Sequence, residues 1–180
     1  MPRRLLALFA VALATLTPAV VLGTGGGEAL PAVGGAPAEA AVRQAPEHAR
    51  CPLAPRLRPA FEAAAWETGL PLALLVALGQ TESGLREDAV SGAGAVGLLQ
   101  VLPSTAAELG LDAAHSPSNV LAGARYLRAQ LDRFRSVDLA LAAYHAGPTA
   151  VERAAGAPTA ATIEYIGRVT TQWLDLGDCR

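Results

Sequence analysis

The chain has 180 residues, 52% of them apolar and 17% charged, which is enough for one packed domain and a leader. Aromatic residues are only 4%, which argues against a sandwich or barrel core. The net charge of −2, carried on the basic side entirely by Arg, lacks the basic excess of a nucleic-acid binder, so that partner class is set aside.

Residues 1–22 read as an export signal or an N-terminal anchor. Arg3 and Arg4 precede an apolar run from Leu5 to Leu16, interrupted only by Thr15. The stretch Leu5 to Leu22 is also just long enough to cross a bilayer, so a membrane tether through residues 5–22 stays open. No Cys follows the run, so lipidation of an N-terminal Cys is not supported. Residues 23–50 are rich in Gly, Ala and Pro without sustained periodicity, and read as a flexible linker. Either leader places the chain outside the cytoplasm, in the periplasm or cell-wall space. There, Cys51 and Cys179 are expected to form one disulfide that brackets the domain of residues 51–180. His48, His115 and His145 lack ligand spacing, so no metal is expected.

Helical signals then follow in order. The first helix is expected over 55–68, with Leu57, Phe61, Ala64 and Ala65 on one side and Gly69 ending it. Pro71 starts a second over 72–83. Residues 84–97 hold four Gly and read as a loop or a small irregular sheet. A short helix is expected over 96–102, and another from Pro103 to Gly110. From Ser116 to Arg135, Leu121, Ala124, Leu127, Leu131 and Phe134 recur at threes and fours, the stripe of an amphipathic helix. Further helices are expected from Asp138 to Tyr144, Thr149 to Ala155 and Thr159 to Leu174, the last with Ile163, Ile166, Val169 and Trp173 inward. No segment alternates with period two. The fold class is therefore all-α, with at most a minimal β element.

Glu82 falls on the last turn of an otherwise apolar helix and shares a face with Leu75, Leu78 and Gly79. A carboxyl in an apolar crevice loses hydration, and its pKa rises. A carboxylic acid still protonated near neutral pH can protonate a glycosidic oxygen. Pattern alone reads Glu82 equally well as a helix-end side chain in water. The only other acids between Ser83 and Gln100 are Glu87 and Asp88, which read as surface charges.

Glu82-Ser83-Gly84, Gly97-Leu98-Leu99-Gln100 and Ala143-Tyr144-His145-Ala146-Gly147-Pro148 occur in this order. Ala89-Val90-Ser91, Pro103-Ser104-Thr105-Ala106 and the run Asn119 to Leu127 accompany them. Together they resemble the lytic transglycosylase family, whose catalytic domain is similar to goose-type lysozyme, over about residues 60–170. The resemblance implies a lysozyme-like single catalytic domain acting on peptidoglycan glycan strands, with no cofactor, as a monomer. It implies Glu82 as the catalytic acid and base. It places Ser83, Ser91, Gly97, Gln100, Tyr144, His145 and Tyr165 at the substrate cleft. Each has a plain structural alternative: a backbone-bonded Ser, a turn Gly, a core Tyr. It also implies cleavage between N-acetylmuramic acid and N-acetylglucosamine to a 1,6-anhydromuramyl end. A hydrolytic muramidase and an inactive peptidoglycan-binding domain are the alternatives. Three positions depart from the family's usual pattern: His145 for Asn, Leu99 for Met, and Ala161 for Glu.

Overall fold

The computed structural model describes residues 51–177 and 179; the leader, anchor and linker readings lie outside the described residues. Seven helices follow in order: α1 (Arg58–Thr68), α2 (Leu72–Ser83), α3 (Pro103–Glu108), α4 (Ser116–Phe134), α5 (Val137–Ala146), α6 (Pro148–Ala154) and α7 (Ala160–Asp175). The only β pairing among the described residues is two isolated antiparallel bridges, Val90 with Val96 and Val96 with Val101. The all-α expectation holds.

α2 is the axis of the domain. Every residue from Leu72 to Gly79 is buried, so this helix is apolar all round and has no solvent face. α1 and α7 pack against it, while α4 lies on α1 and α5, and α5 on α6 and α7. One core joins Phe61 of α1, Leu75 and Leu78 of α2, Val120 and Leu127 of α4, Leu141 of α5 and Val169 of α7. Gly79 lets α2 approach closely, because a Cβ there would meet Leu85 Cδ2 at 2.8 Å and both Leu99 and Phe61 at 3.3 Å. Cys51 and Cys179 are bonded, with 5.0 Å between their Cα atoms. That link closes the domain over a sequence separation of 128.

Three expectations need correction. α1 begins at Arg58, after a turn in which Leu57 N–H donates to Ala54 O. Residues 96–102 form no helix: Gly97 (φ +74°) and Gln100 (φ +46°) are left-handed, and Val96 and Val101 exchange backbone hydrogen bonds across the turn between them. Ile163 is 60% exposed. The fully buried side chains of α7 are Thr162, Tyr165 and Val169, while Ile166 and Trp173 pack partly buried against the core, so the expected inward row holds except at Ile163.

Candidate active site

The end of α2 sets the site. Gly84 takes a left-handed φ of +64°, its N–H donates to Gln80 O, and Leu85 N–H donates to Gly79 O. This closure ends the helix within one turn of Glu82 and leaves its carboxyl against α7. There the Tyr165 hydroxyl donates to Glu82 Oε1 at 2.5 Å. Tyr165 is itself only 2% exposed. Burial raises the Glu82 pKa to about 6; the Tyr165 hydrogen bond and the Arg168 guanidinium pull it back less strongly. A second tie joins the same helices where Thr81 Oγ1 donates to Gln172 Oε1 at 2.9 Å.

The turn over residues 97–100 is the second component, and polar groups from three directions hold it. Ser83 Oγ donates to Leu98 O at 2.8 Å, and Tyr144 Oη donates to Leu99 O at 2.8 Å. Asn119 is wholly buried. Its Oδ1 accepts from Leu99 N–H at 2.9 Å, and its Nδ2 donates to Val96 O at 2.8 Å and Ala113 O at 2.9 Å. Gln100 Nε2 donates to Ala89 O and Gly97 O, both at 3.1 Å. Gly123 of α4 lets this turn sit close, since a Cβ there would lie 2.7 Å from Leu99 Cβ and 2.8 Å from Tyr144 Oη.

A cleft of about 300 Å³ opens beside the turn, lined by Gln100, Val101, Thr105, Tyr126, Tyr144 and His145 among others. Tyr126 and Tyr144 meet at tilted rings 5.4 Å apart. His145 stacks on Tyr165 at 4.3 Å and 18°. Neither Glu82 nor Tyr165 lines this cleft; Glu82 connects to it through Tyr165 and His145, and its charge adds to the burial that pushes both Tyr144 and Tyr165 well above the usual phenol pKa. No residue lining this cleft is acidic. Glu87 is instead turned to the surface, where Arg56 Nε and Ser116 Oγ donate to its two oxygens. Among the described residues, no group of three His, Cys, Asp or Glu side chains gathers to hold a metal.

Glu82, Gln100, Tyr144, His145 and Tyr165 are therefore brought together. Ser83 is buried and spends its hydroxyl on backbone, so it braces the turn behind Glu82. The close approach that Gly97 permits is to Asn119, whose Nδ2 would be 2.7 Å from a Cβ, rather than to the cleft. Ser91 accepts from Ala95 N–H in a separate turn and is not among the residues lining the cleft. Two contributors escaped the reading of the sequence. Asn119 reads as a helix start, yet its place on the buried stripe with Val120, Gly123 and Ala124 marks it as a polar group that must be satisfied. Arg168, exposed on α7, carries no local signal of facing Glu82.

The chain is similar to known proteins over this same region. It is 43% identical to a transglycosylase of Enterobacteria phage PRD1 over 47% of its length and 32% of that protein. It is 38% identical to membrane-bound lytic murein transglycosylase F 1 of Alkalilimnicola ehrlichii over 52% of its length and 20% of that protein. The chain thus spans a third or less of these relatives. Among solved structures, an inactive mutant of lytic transglycosylase Slt from Pseudomonas aeruginosa superposes with a TM-score of 0.63 at 28% identity, covering 72% of this chain and 25% of that one. The 70 kDa soluble lytic transglycosylase of Escherichia coli shares the fold, with a TM-score of 0.59 at 24% identity over the same shares. The family model for the transglycosylase SLT domain matches residues 59–166, which hold Glu82, the 97–100 turn, Asn119, Tyr144 and Tyr165. By that match, and by the helical frame around its partly buried carboxyl, the chain belongs to the transglycosylase SLT domain family.

Proposed function

We propose that the protein is a peptidoglycan lytic transglycosylase that cleaves the β-1,4 bond between N-acetylmuramic acid and N-acetylglucosamine. The observation that carries this reading is a single partly buried carboxyl, Glu82, with a pKa of about 6, linked through Tyr165 and His145 to a cleft that no acidic residue lines. Two-carboxylate hydrolysis needs a second acid on the other side of the scissile bond. With one, the nucleophile comes from the substrate.

In the first step Glu82 gives its proton to the departing N-acetylglucosamine O4 as the glycosidic C–O bond breaks. The muramyl N-acetyl oxygen bonds the anomeric carbon in its place. In the second step the Glu82 carboxylate takes the proton of the muramyl O6 hydroxyl. O6 bonds the anomeric carbon and the acetamido group leaves it. The products are a new N-acetylglucosamine 4-hydroxyl end and a 1,6-anhydromuramyl end. No water is consumed, and Glu82 ends protonated as it began. A raised carboxyl pKa suits both halves, since the group is a competent acid near neutral pH and a stronger base than a free carboxylate. Tyr165 holds one carboxyl oxygen, and the other makes the proton transfers in this reading.

An exported protein with a peptidoglycan partner fits the disulfide between Cys51 and Cys179. No helix among the described residues is long and apolar enough to cross a membrane. Mass spectrometry of purified sacculi digested with the full chain tests the reaction. Products lighter by one water than reducing-end muropeptides are expected; reducing ends alone would make the protein a hydrolytic muramidase.

A further inference from the structure

The Glu82–Tyr165 pair does not end at the phenol. His145 stacks on Tyr165, with its ring 4.3 Å from the phenol ring. Tyr165 in turn reaches Glu82 at 2.5 Å. The two contacts put the imidazole within about one Debye length, ~10 Å, of the carboxyl. One cation also faces both groups: the Arg168 guanidinium acts on Glu82 and on His145 alike. The remaining titratable neighbours are Tyr144 on the same helix and Tyr126 from α4 across the cleft. Glu82 is the carboxylate of this group, reached from His145 through Tyr165.

We propose that His145 is a positioning residue that acts on Glu82 through Tyr165, holding the phenol in place by ring stacking and favouring the Glu82 carboxylate once its own imidazole is protonated. Planar rings in parallel contact restrict each other's tilt, and Tyr165 can deliver its hydroxyl to Glu82 only from one ring orientation. A neutral imidazole adds no cation to the one Arg168 already provides. A protonated imidazole on the phenol face draws on the ring electrons, makes the hydroxyl a stronger donor and favours the Glu82 carboxylate. Burial and Arg168 both hold His145 below its ordinary pKa, which favours its neutral form. Coupling between the two is reciprocal: each proton disfavours the other.

The inference rests on the proposed glycan-cleaving reading only for its kinetic arm, so a substrate-free arm is run beside it. NMR titration of the full chain follows the His145 ring in wild type and in Glu82→Gln, and the Glu82 side-chain carbon in wild type and in His145→Phe. The His145 pKa is expected to fall in Glu82→Gln, and the Glu82 pKa to rise in His145→Phe by the same amount, about half a unit. Identical titrations in variant and parent would overturn the coupling even if cleavage occurs. In the kinetic arm, the alkaline limb of the pH profile moves to higher pH in His145→Phe. The kcat of His145→Phe, which keeps a planar ring, exceeds that of His145→Ala by ten-fold or more. Equal kcat values in the two variants would overturn the stacking role. Coupled titrations with no cleavage of glycan at all would instead fault the function proposed above and leave this coupling standing.

Discussion

The Tyr165 hydroxyl, carried in by α7, donates to the carboxyl of Glu82 at the end of α2, across 83 positions of sequence. The hydrogen bond favours the ionised form, while burial favours the neutral one, and burial wins. Removing the hydroxyl in Tyr165→Phe is therefore expected to raise the Glu82 pKa above about 6 and move the alkaline limb of kcat/KM upward. Loss of an oriented bond to a group that ionises should also cost about 10- to 100-fold in kcat. A pH–rate series on defined muropeptides reads both effects. An unshifted limb would remove Tyr165 from the site.

Glu82 is held at a cost to the fold. Its pKa is about 6 in the folded protein against 4.5 in the unfolded chain. The stability of the neutral form is complete below pH 4.5 and is lost as pH rises through 6. The loss approaches ~2 kcal/mol at neutral pH. Glu82→Gln can keep an acceptor for Tyr165 and has no charge to desolvate. It should match wild type in urea at pH 4, exceed it by ~2 kcal/mol at pH 7.5, and show no cleavage at either. A variant cleaving at the parental rate would remove Glu82 from the mechanism.

Asn119→Ala strips three hydrogen bonds from the back of the 97–100 turn and leaves Leu99 N–H, Val96 O and Ala113 O without that partner. Unsatisfied buried groups cost roughly 1–3 kcal/mol each, so a loss of about 3 kcal/mol is expected from the urea midpoint. The turn carries Gln100 and accepts the Tyr144 hydroxyl, so kcat should fall further than stability alone requires. A shift in midpoint with kcat untouched would separate the turn from catalysis.

Reducing the Cys51–Cys179 bond, or replacing both with Ser, releases a closed loop with a sequence separation of 128. The chain-entropy model gives about 4–5 kcal/mol for a loop of this order. Urea unfolding with and without reductant measures it. A midpoint unchanged by reductant would place the stability elsewhere.

Much of this domain was legible as pattern. The bounds of α2 follow from Pro71 and Gly84, because one cannot continue a helix backward and the other closes it in the left-handed region. α4 was visible in its stripe. The 97–100 turn was not, since a short apolar run such as Val96 to Leu102 reads equally as helix, and a left-handed Gln is a tertiary outcome. On α7 Ile163 alone falls outside the expected inward row, for a related reason. Thr162 and Tyr165 are less apolar than Ile163, yet both are buried: Tyr165 donates to Glu82, and Thr162 shares a hydrogen bond with the capping Thr159. The motifs named Glu82, Tyr144 and Tyr165 as members of one site. Only the fold shows that Tyr165 meets the carboxyl and that Tyr144 meets the turn.

The Cys51–Cys179 bond makes the described backbone a covalent ring, its two ends within 5.0 Å. A ring has no privileged starting point. Joining residues 51 and 179 by a short peptide and opening the chain in the exposed bend between α6 and α7 would reorder the helices along the sequence without moving one in space. The order in which the helices are synthesised is then separable from the architecture they build.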